Sequence, residues 1–218
     1  MNFAKSERAE LCDALDRSGP DAPTLCGDWT THDLAAHLWI RETDPLGAPG
    51  IVAKPLAGLT ERRMNETKER WSFAELVDRV RRGPARLSVF AIPGVDEEAN
   101  TVEFFVHHED VRRAGPAPAA PRPLGPDVED WIWRRMKLMG RALFRKAQVG
   151  VVLERARPEG SVGEPETIRV MSGGEIVTII GEPSELMLYA YGRQDHSQVR
   201  LVGDEAALAK LATSDLSL

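Results

Sequence analysis

The spacing of apolar positions along the chain changes once. Up to about residue 147 they recur every three or four residues, the repeat of a helix with one buried face; beyond it they alternate with polar positions, the repeat of a half-buried strand. Phe3, Leu11 and Leu15 among charged positions predict an amphipathic helix over 3–17, ended by SGPDAP. Thr30-Thr31-His32-Asp33 offers a hydroxyl N-cap with an acid three positions on, so a second helix is expected over 31–42. The stretch 43–72, which contains LGAPGIVAKPLAG, has no clear period and reads as a long loop of the kind that covers a site. Ser72 can cap a helix reaching about residue 90, with Phe73, Leu76, Val77 and Val80 inward and a kink or break at Gly83-Pro84; IPG at 92–94 closes it. A fourth helix is expected over 97–114.

GPAPAAPRPLGP, residues 115–126, holds five prolines and two glycines and reads as a stiff connector. DVEDWIWRRMKLMGRALFRKA then predicts a strong helix that packs on the preceding helices and against a second unit. VGVVLERA, TIRVMS, EIVTIIG and SQVRLVG read as four strands. A helix opening at Pro183 and ending before Gly192 precedes the last strand, and a helix over 204–211 follows it. The expected architecture is α+β in two domains: an antiparallel helical bundle with connector and extra helix over 1–147, and a βββαβα unit over 148–218.

Composition narrows the partners. A net charge of −6 and a pI near 5.5 argue against a nucleic-acid or anionic-membrane surface, which calls for clustered Lys and Arg. No stretch reaches 18 apolar residues, and MNFAKSERAE lacks the apolar core of a signal peptide. The expectation is a cytoplasmic monomer or homodimer that meets small molecules. Cys12 and Cys26 are too few for a disulfide framework and lack CxxC spacing, so they are read as reduced thiols.

The candidate chemistry lies in TVEFFVHHED. Glu103 and His107, four apart on a helix, stack on one face and can converge on one cation. That helix is apolar most of the way round, and a buried Glu or His needs a partner. A catalytic zinc takes about three protein ligands, so a third is required. His37 points where Leu34 and Leu38 point, toward a core; alone it reads as a buried neutral histidine, and with Glu103 and His107 present it reads as the third ligand. His108 is turned about 100° from His107, which makes it a surface residue or a support for the ligands. Asp110 either orients a ligand or forms a solvated helix-end ion pair with Arg112, Arg113 or Arg41. Cys26, in the loop before the second helix, is expected to be dispensable for the metal.

TLCGDWTTHDLAAHL followed by EFFVHHEDVRR resembles the DinB-like metal-binding four-helix bundle, specifically the actinobacterial branch typified by mycothiol-dependent maleylpyruvate isomerase. The resemblance implies a divalent metal, most often zinc with nickel or iron as alternatives, held by His37, Glu103 and His107, with a position left for water or a thiolate. GEPSELMLYAYGR and VRLVGDEAALAKL are similar to the sterol-carrier-protein-like domain that follows the bundle in that branch. Arg193 occupies the place of its glycine-arginine turn; as a plain helix-end arginine it would satisfy carbonyls instead.

Two functions of different class fit. The first is an isomerase or transferase that uses mycothiol or another low-molecular-weight thiol. A cation with an open position would hold the thiolate as nucleophile, and Arg193 or Arg41 would hold a substrate carboxylate. In that reading the second domain completes the site from across a cleft. The second is a non-catalytic module in which the metal is structural and the C-terminal domain sequesters an apolar small molecule. A relic site is the third and blandest reading.

Overall fold

The computed structural model describes residues 3–43, 57–83, 95–115, 119–157, 160 and 162–216. It is α+β, with eight α-helices and a four-stranded sheet among the described residues. The chain divides into two compact units, Met1–Ala119 and Ala120–Leu218.

The first unit is helical: α1 (Phe3–Ser18), α2 (Thr31–Thr43), α3 (Ala57–Arg70), α4 (Phe73–Arg82) and α5 (Val95–Arg113). Helix α1 lies along α5 and against α4, while α2 packs on α3 and α4. Leu11 and Leu15 of α1, Leu34 and Leu38 of α2, Leu76, Val77 and Val80 of α4, and Phe104 of α5 make one buried cluster. The start of α2 is fixed as its sequence suggests. The Thr30 amide and hydroxyl donate to Asp33 Oδ2 at 2.9 and 2.7 Å, and the Asp33 amide donates back to Thr30 Oγ1 at 3.3 Å. Ser72 and Glu75 form the equivalent box for α4, which ends at Gly83 with φ 76°, a left-handed conformation that favours glycine. The expected continuation of that helix to residue 90, and its closing IPG, lie outside the described residues.

Helix α3 corrects the expectation of a loop over 43–72. Its sequence, AGLTERRMNETKER, buries Thr60 and Met64 among polar neighbours, so it shows no apolar stripe to read. Residues 44–56 lie outside the described part.

A buried ion pair ties the helices of this unit together. The Arg8 guanidinium donates to both oxygens of Glu42, at 2.7 and 2.5 Å, and to the Val80 carbonyl at 2.9 Å. It also lies 4.4 Å over the Phe104 ring, and Asn100 Nδ2 donates to Glu42 Oε1 at 3.0 Å. Four helices thus meet at one satisfied charge pair.

The second unit opens with α6 (Pro126–Leu143) and continues through β1 (Gly150–Arg155), β2 (Thr167–Met171), β3 (Ile176–Gly181), α7 (Pro183–Ala190), β4 (Arg200–Val202) and α8 (Glu205–Ala212). The sheet order is β2-β1-β3-β4, with β1 and β3 parallel and the outer pairs antiparallel. Strands and helices therefore follow one another in the βββαβα order expected. Helix α6 packs on α7 and β2, and α7 and α8 pack on β3.

The division between units falls at 119/120 and not at 147/148, because α6 belongs with the sheet. Ile132, Trp133, Met136 and Leu143 are buried there. A Cβ added at Gly140 would stand 2.6 Å from Val170 Cγ1 of β2, so the helix approaches the strand as closely as glycine permits. Glu129 of α6 also accepts from the amide and hydroxyl of Ser184, at 2.9 and 2.8 Å, which satisfies the first turn of α7.

Candidate metal centre

Helix α5 supplies Glu103 and His107 one turn apart, and α2 supplies His37 from the opposite side. The three bring one ligand atom each to within 4.8 Å of one another. His37 Nε2 lies 3.3 Å and His107 Nε2 3.2 Å from the same oxygen, Glu103 Oε1. In a tetrahedral zinc site with bonds of about 2.0–2.2 Å, a nitrogen and an oxygen ligand stand about 3.3–3.4 Å apart. The two edges to Glu103 match that separation, and the two imidazole nitrogens lie within 4.8 Å of each other, so the cluster is spaced for a small divalent cation. His37 and His107 are buried, while the Glu103 side chain keeps 21% of its surface exposed. Of the three residues, Glu103 is therefore the least covered.

The protons on His107 explain why a cation suits this place. Its Nδ1 lies 2.9 Å from Asp110 Oδ2, and Asp110 is fully buried. A carboxylate only accepts, so Nδ1 carries the hydrogen and Nε2 of a neutral ring presents its lone pair to Glu103. Two acceptors cannot face each other at 3.2 Å without a positive charge between them. With no metal bound, that charge is a proton. Burial alone would lower the pKa of His107, but Cys26, Asp110 and Glu103 around it hold it well above the ordinary histidine range. For His37 the balance reverses. Burial lowers its pKa, Glu103 offsets this only in part, and it stays neutral. Glu103 is penalised by burial, yet hydrogen bonding to His107 and His37 and the charges of His107 and Arg41 hold its carboxyl well below the usual range. The site thus consists of a carboxylate, a neutral imidazole and an imidazolium whose Nε2 proton a cation would replace.

His37 Nδ1 is buried and, among the described residues, has no hydrogen-bond partner, so no contact on that side fixes its tautomer. The Trp29 ring stands 5.0 Å from the His37 ring and covers that flank. Arg41, one turn beyond His37, points its Nε at Glu103 Oε1 from 3.4 Å and donates to Asn100 Oδ1. It is therefore engaged with the candidate ligand Glu103 and with Asn100.

Of the neighbouring residues, Asp110 is buried against His107 and is not a solvated helix-end pair. His108 does not join the cluster. It is buried, not on the surface, and Nδ1 lies 3.2 Å from Glu7 Oε2 of α1, which covers that side of α5. Cys26 stands against the other nitrogen of His107: Sγ is 3.6 Å from Nδ1 and donates to Asp110 Oδ2 at 3.0 Å. Arg193 lies in the second unit, where it donates to the Tyr191 carbonyl at 2.5 Å just past α7, the helix-end role.

The link from Cys26 to Asp110 joins residues 84 apart and left no signal in the sequence. Asp110, three positions after His107, had one: helical i,i+3 spacing puts it over the same ring.

No family model, curated protein or solved structure matches this chain. Fold and geometry together define an α+β protein whose helical unit carries a His-Glu-His cluster spaced for a divalent cation. No helix among the described residues is long and apolar enough to cross a membrane.

Proposed function

We propose that the chain is a divalent-metal protein that activates a low-molecular-weight thiol, acting as an isomerase or transferase on small electrophilic substrates. It would be similar to the DinB-like, mycothiol-dependent maleylpyruvate isomerase branch, with a sterol-carrier-protein-like second unit. The observation that carries this reading is the convergence of His37 Nε2 and His107 Nε2 on one oxygen of a partly exposed Glu103. Three protein ligands with an open side are what a catalytic site needs, whereas a structural zinc is closed by four. A cation there, with zinc favoured and nickel or iron as alternatives, would stabilise a thiolate at neutral pH.

The protein's own residues do the rest. Asp110 holds the His107 ring so that Nε2 faces the cation position. Arg41 leans on Glu103 and places a fixed guanidinium at the rim, where a substrate carboxylate could be met by a charge-assisted hydrogen bond.

The test is metal analysis of the purified protein, followed by cobalt substitution and addition of mycothiol or a simpler thiol. In a cysteine-free variant, a sulfur-to-cobalt absorption band that appears only when the thiol is added supports the reading. A cobalt spectrum that no added thiol changes overturns it.

A groove of about 760 Å³ in the second unit favours keeping one other reading. Pro121, Leu124 and Pro126 line it beside three arginines and five glutamates, so any ligand there would meet an apolar strip bordered by both charges. If that groove is the functional site, ligand binding survives removal of the metal and loss of Glu103.

A further inference from the structure

The cluster around His107 has a second side that thiol activation does not use. Cys26 Sγ, Asp110 Oδ2 and His107 Nδ1 form a triangle with edges of 3.0, 2.9 and 3.6 Å. These are three different donor types, with one ligand atom of each within 4.8 Å of the others. Cys26 is partly exposed, so the triangle is reachable from solvent, whereas Asp110 is fully buried.

We propose that Cys26, Asp110 and His107 Nδ1 form a second cation position, selective for thiophilic ions, so that one imidazole serves two sites through its two nitrogens. The proposal does not rest on the thiol-chemistry reading of the first cluster.

The chain is built to hold this triangle. Cys26 sits in a tight turn between Pro23 and Thr30, which pair as an isolated β-bridge. The Thr24 hydroxyl donates to the Trp29 carbonyl at 2.8 Å and accepts from the Cys26 amide at 3.2 Å, while the Trp29 amide donates to the Cys26 carbonyl at 3.3 Å. Gly27 takes φ 64° to close the turn. The Leu25 amide then donates to the Asp110 carbonyl at 3.2 Å. That carbonyl lies in the last turn of α5, so the contact ties the Cys26 loop to the helix end and pins the thiol beside the carboxylate. The thiol is thus placed by backbone contacts.

Ligand distances support the fit. For zinc with bonds of about 2.3 Å to sulfur and 2.0–2.2 Å to nitrogen and oxygen, ligand atoms stand about 3.4–3.6 Å apart. The sulfur–nitrogen edge, 3.6 Å, already has that length. The two edges to Asp110 are about 0.5 Å shorter, as expected where hydrogens hold the three groups together, and a small swing of one carboxylate opens both. Binding would release the thiol proton of Cys26 and the Nδ1 proton of His107 and put the cation in their place. Soft thiolate and borderline imidazole select zinc, cadmium or copper(I) over magnesium or calcium. Because Cys26 faces Nδ1 and the first cluster uses Nε2, this sulfur serves a different ion from the one at Glu103.

The second cysteine cannot mimic the result. Cys12 is buried, hydrogen-bonded to the Val77 carbonyl, and its thiol is pushed up to about 12 by burial.

The experiment is a cadmium titration of the reduced, metal-free full-length protein, reading bound cadmium per chain and the thiolate-to-cadmium absorption band. The parent should bind two ions and show the band. Cys26→Ser and Cys26→Ala should each bind one ion without the band. A His37→Ala, Glu103→Gln double variant should bind one ion and keep the band. Circular dichroism checks the fold of each. The inference is overturned by a parent without the band, by a second equivalent that persists when Cys26 is replaced, or by loss of the band in the double variant, which would give the sulfur and Glu103 one shared ion.

Discussion

The Oδ2 atom of Asp110 lies 2.9 Å from Nδ1 of His107, one helical turn earlier on the same helix, and no water can reach the carboxylate. This contact decides which nitrogen faces Glu103. An Asp110→Asn substitution keeps the shape but offers an amide that can turn its NH2 toward the ring and so stop fixing the tautomer. Metal affinity, measured by competition with a chromogenic chelator, should fall about 10–100-fold. An unchanged affinity would show that the ring is oriented by something else.

Loss of a ligand should cost more than loss of its support. In a Cys26→Ser background, which leaves the Glu103 cluster as the cation position, His37→Ala, Glu103→Ala and His107→Ala should each reduce affinity by well over about 100-fold. The triple variant should not bind zinc, nickel or iron at micromolar concentration. If it binds them as the parent does, the metal resides elsewhere.

The titrations of His107 and Glu103 bound the stability of the metal-free protein from opposite sides. The pKa of His107 is raised on folding. It therefore contributes stability that is complete below its unfolded value of about 6.5 and is lost as pH rises through the higher folded value. The pKa of Glu103 is depressed. It contributes stability present above about 4.3 and lost as pH falls through the lower folded value. Thermal midpoints of the metal-free protein should stay level between these limits and decline on the alkaline side. A bound cation replaces the His107 proton, so the alkaline decline should shrink with zinc present, and binding should release a proton near neutral pH. Identical pH profiles with and without metal would count against the cluster as the site.

Arg8 is the strongest test of the helical unit. Its replacement by alanine takes both charge-assisted hydrogen bonds from the buried Glu42 carboxylate, which keeps the contact from Asn100, and removes the contact to the Val80 carbonyl. Breaking a buried pair from one side typically costs about 3–5 kcal/mol, which should appear as a lower urea midpoint at unchanged slope. A midpoint within experimental error of the parent's would mean that solvent reaches Glu42.

Arg193→Ala separates a catalytic from a structural arginine. If the protein turns over a carboxylate substrate through Arg193, metal content should stay constant while turnover falls about 10- to 150-fold, equivalent to roughly 1.5–3 kcal/mol. Equal turnover would leave Arg193 with a structural role, which includes its contact to the Tyr191 carbonyl.

What the sequence made legible follows how local the signal is. The strands, the capping boxes at Thr30 and Ser72, and the i,i+4 pairing of Glu103 with His107 rest on neighbours within one or two turns, and they stand where pattern puts them. Helix α3 was hidden because Thr60 and Met64 are its buried contacts, too few to set a period. The unit boundary was misplaced because apolar residues on α6 say that it is covered, not by what; Val170 and Ser184 are the answer, and both lie downstream. His108 was correctly kept out of the cluster by its rotation from His107, but which helix would cover it could not be read before α1 was in place. The Cys26–Asp110 contact is purely tertiary.

The borders of the sheet bear on how the protein behaves when crowded. Strands β2 and β4 are the outer ones, and each is short, with Arg169 and Arg200 exposed along them. A foreign strand that tried to extend the sheet from either side would meet charge and only three to five residues of backbone. Aggregation by strand addition is thus discouraged at both borders, while the apolar parallel pair, β1 and β3, is kept in the middle, out of reach of a neighbouring chain.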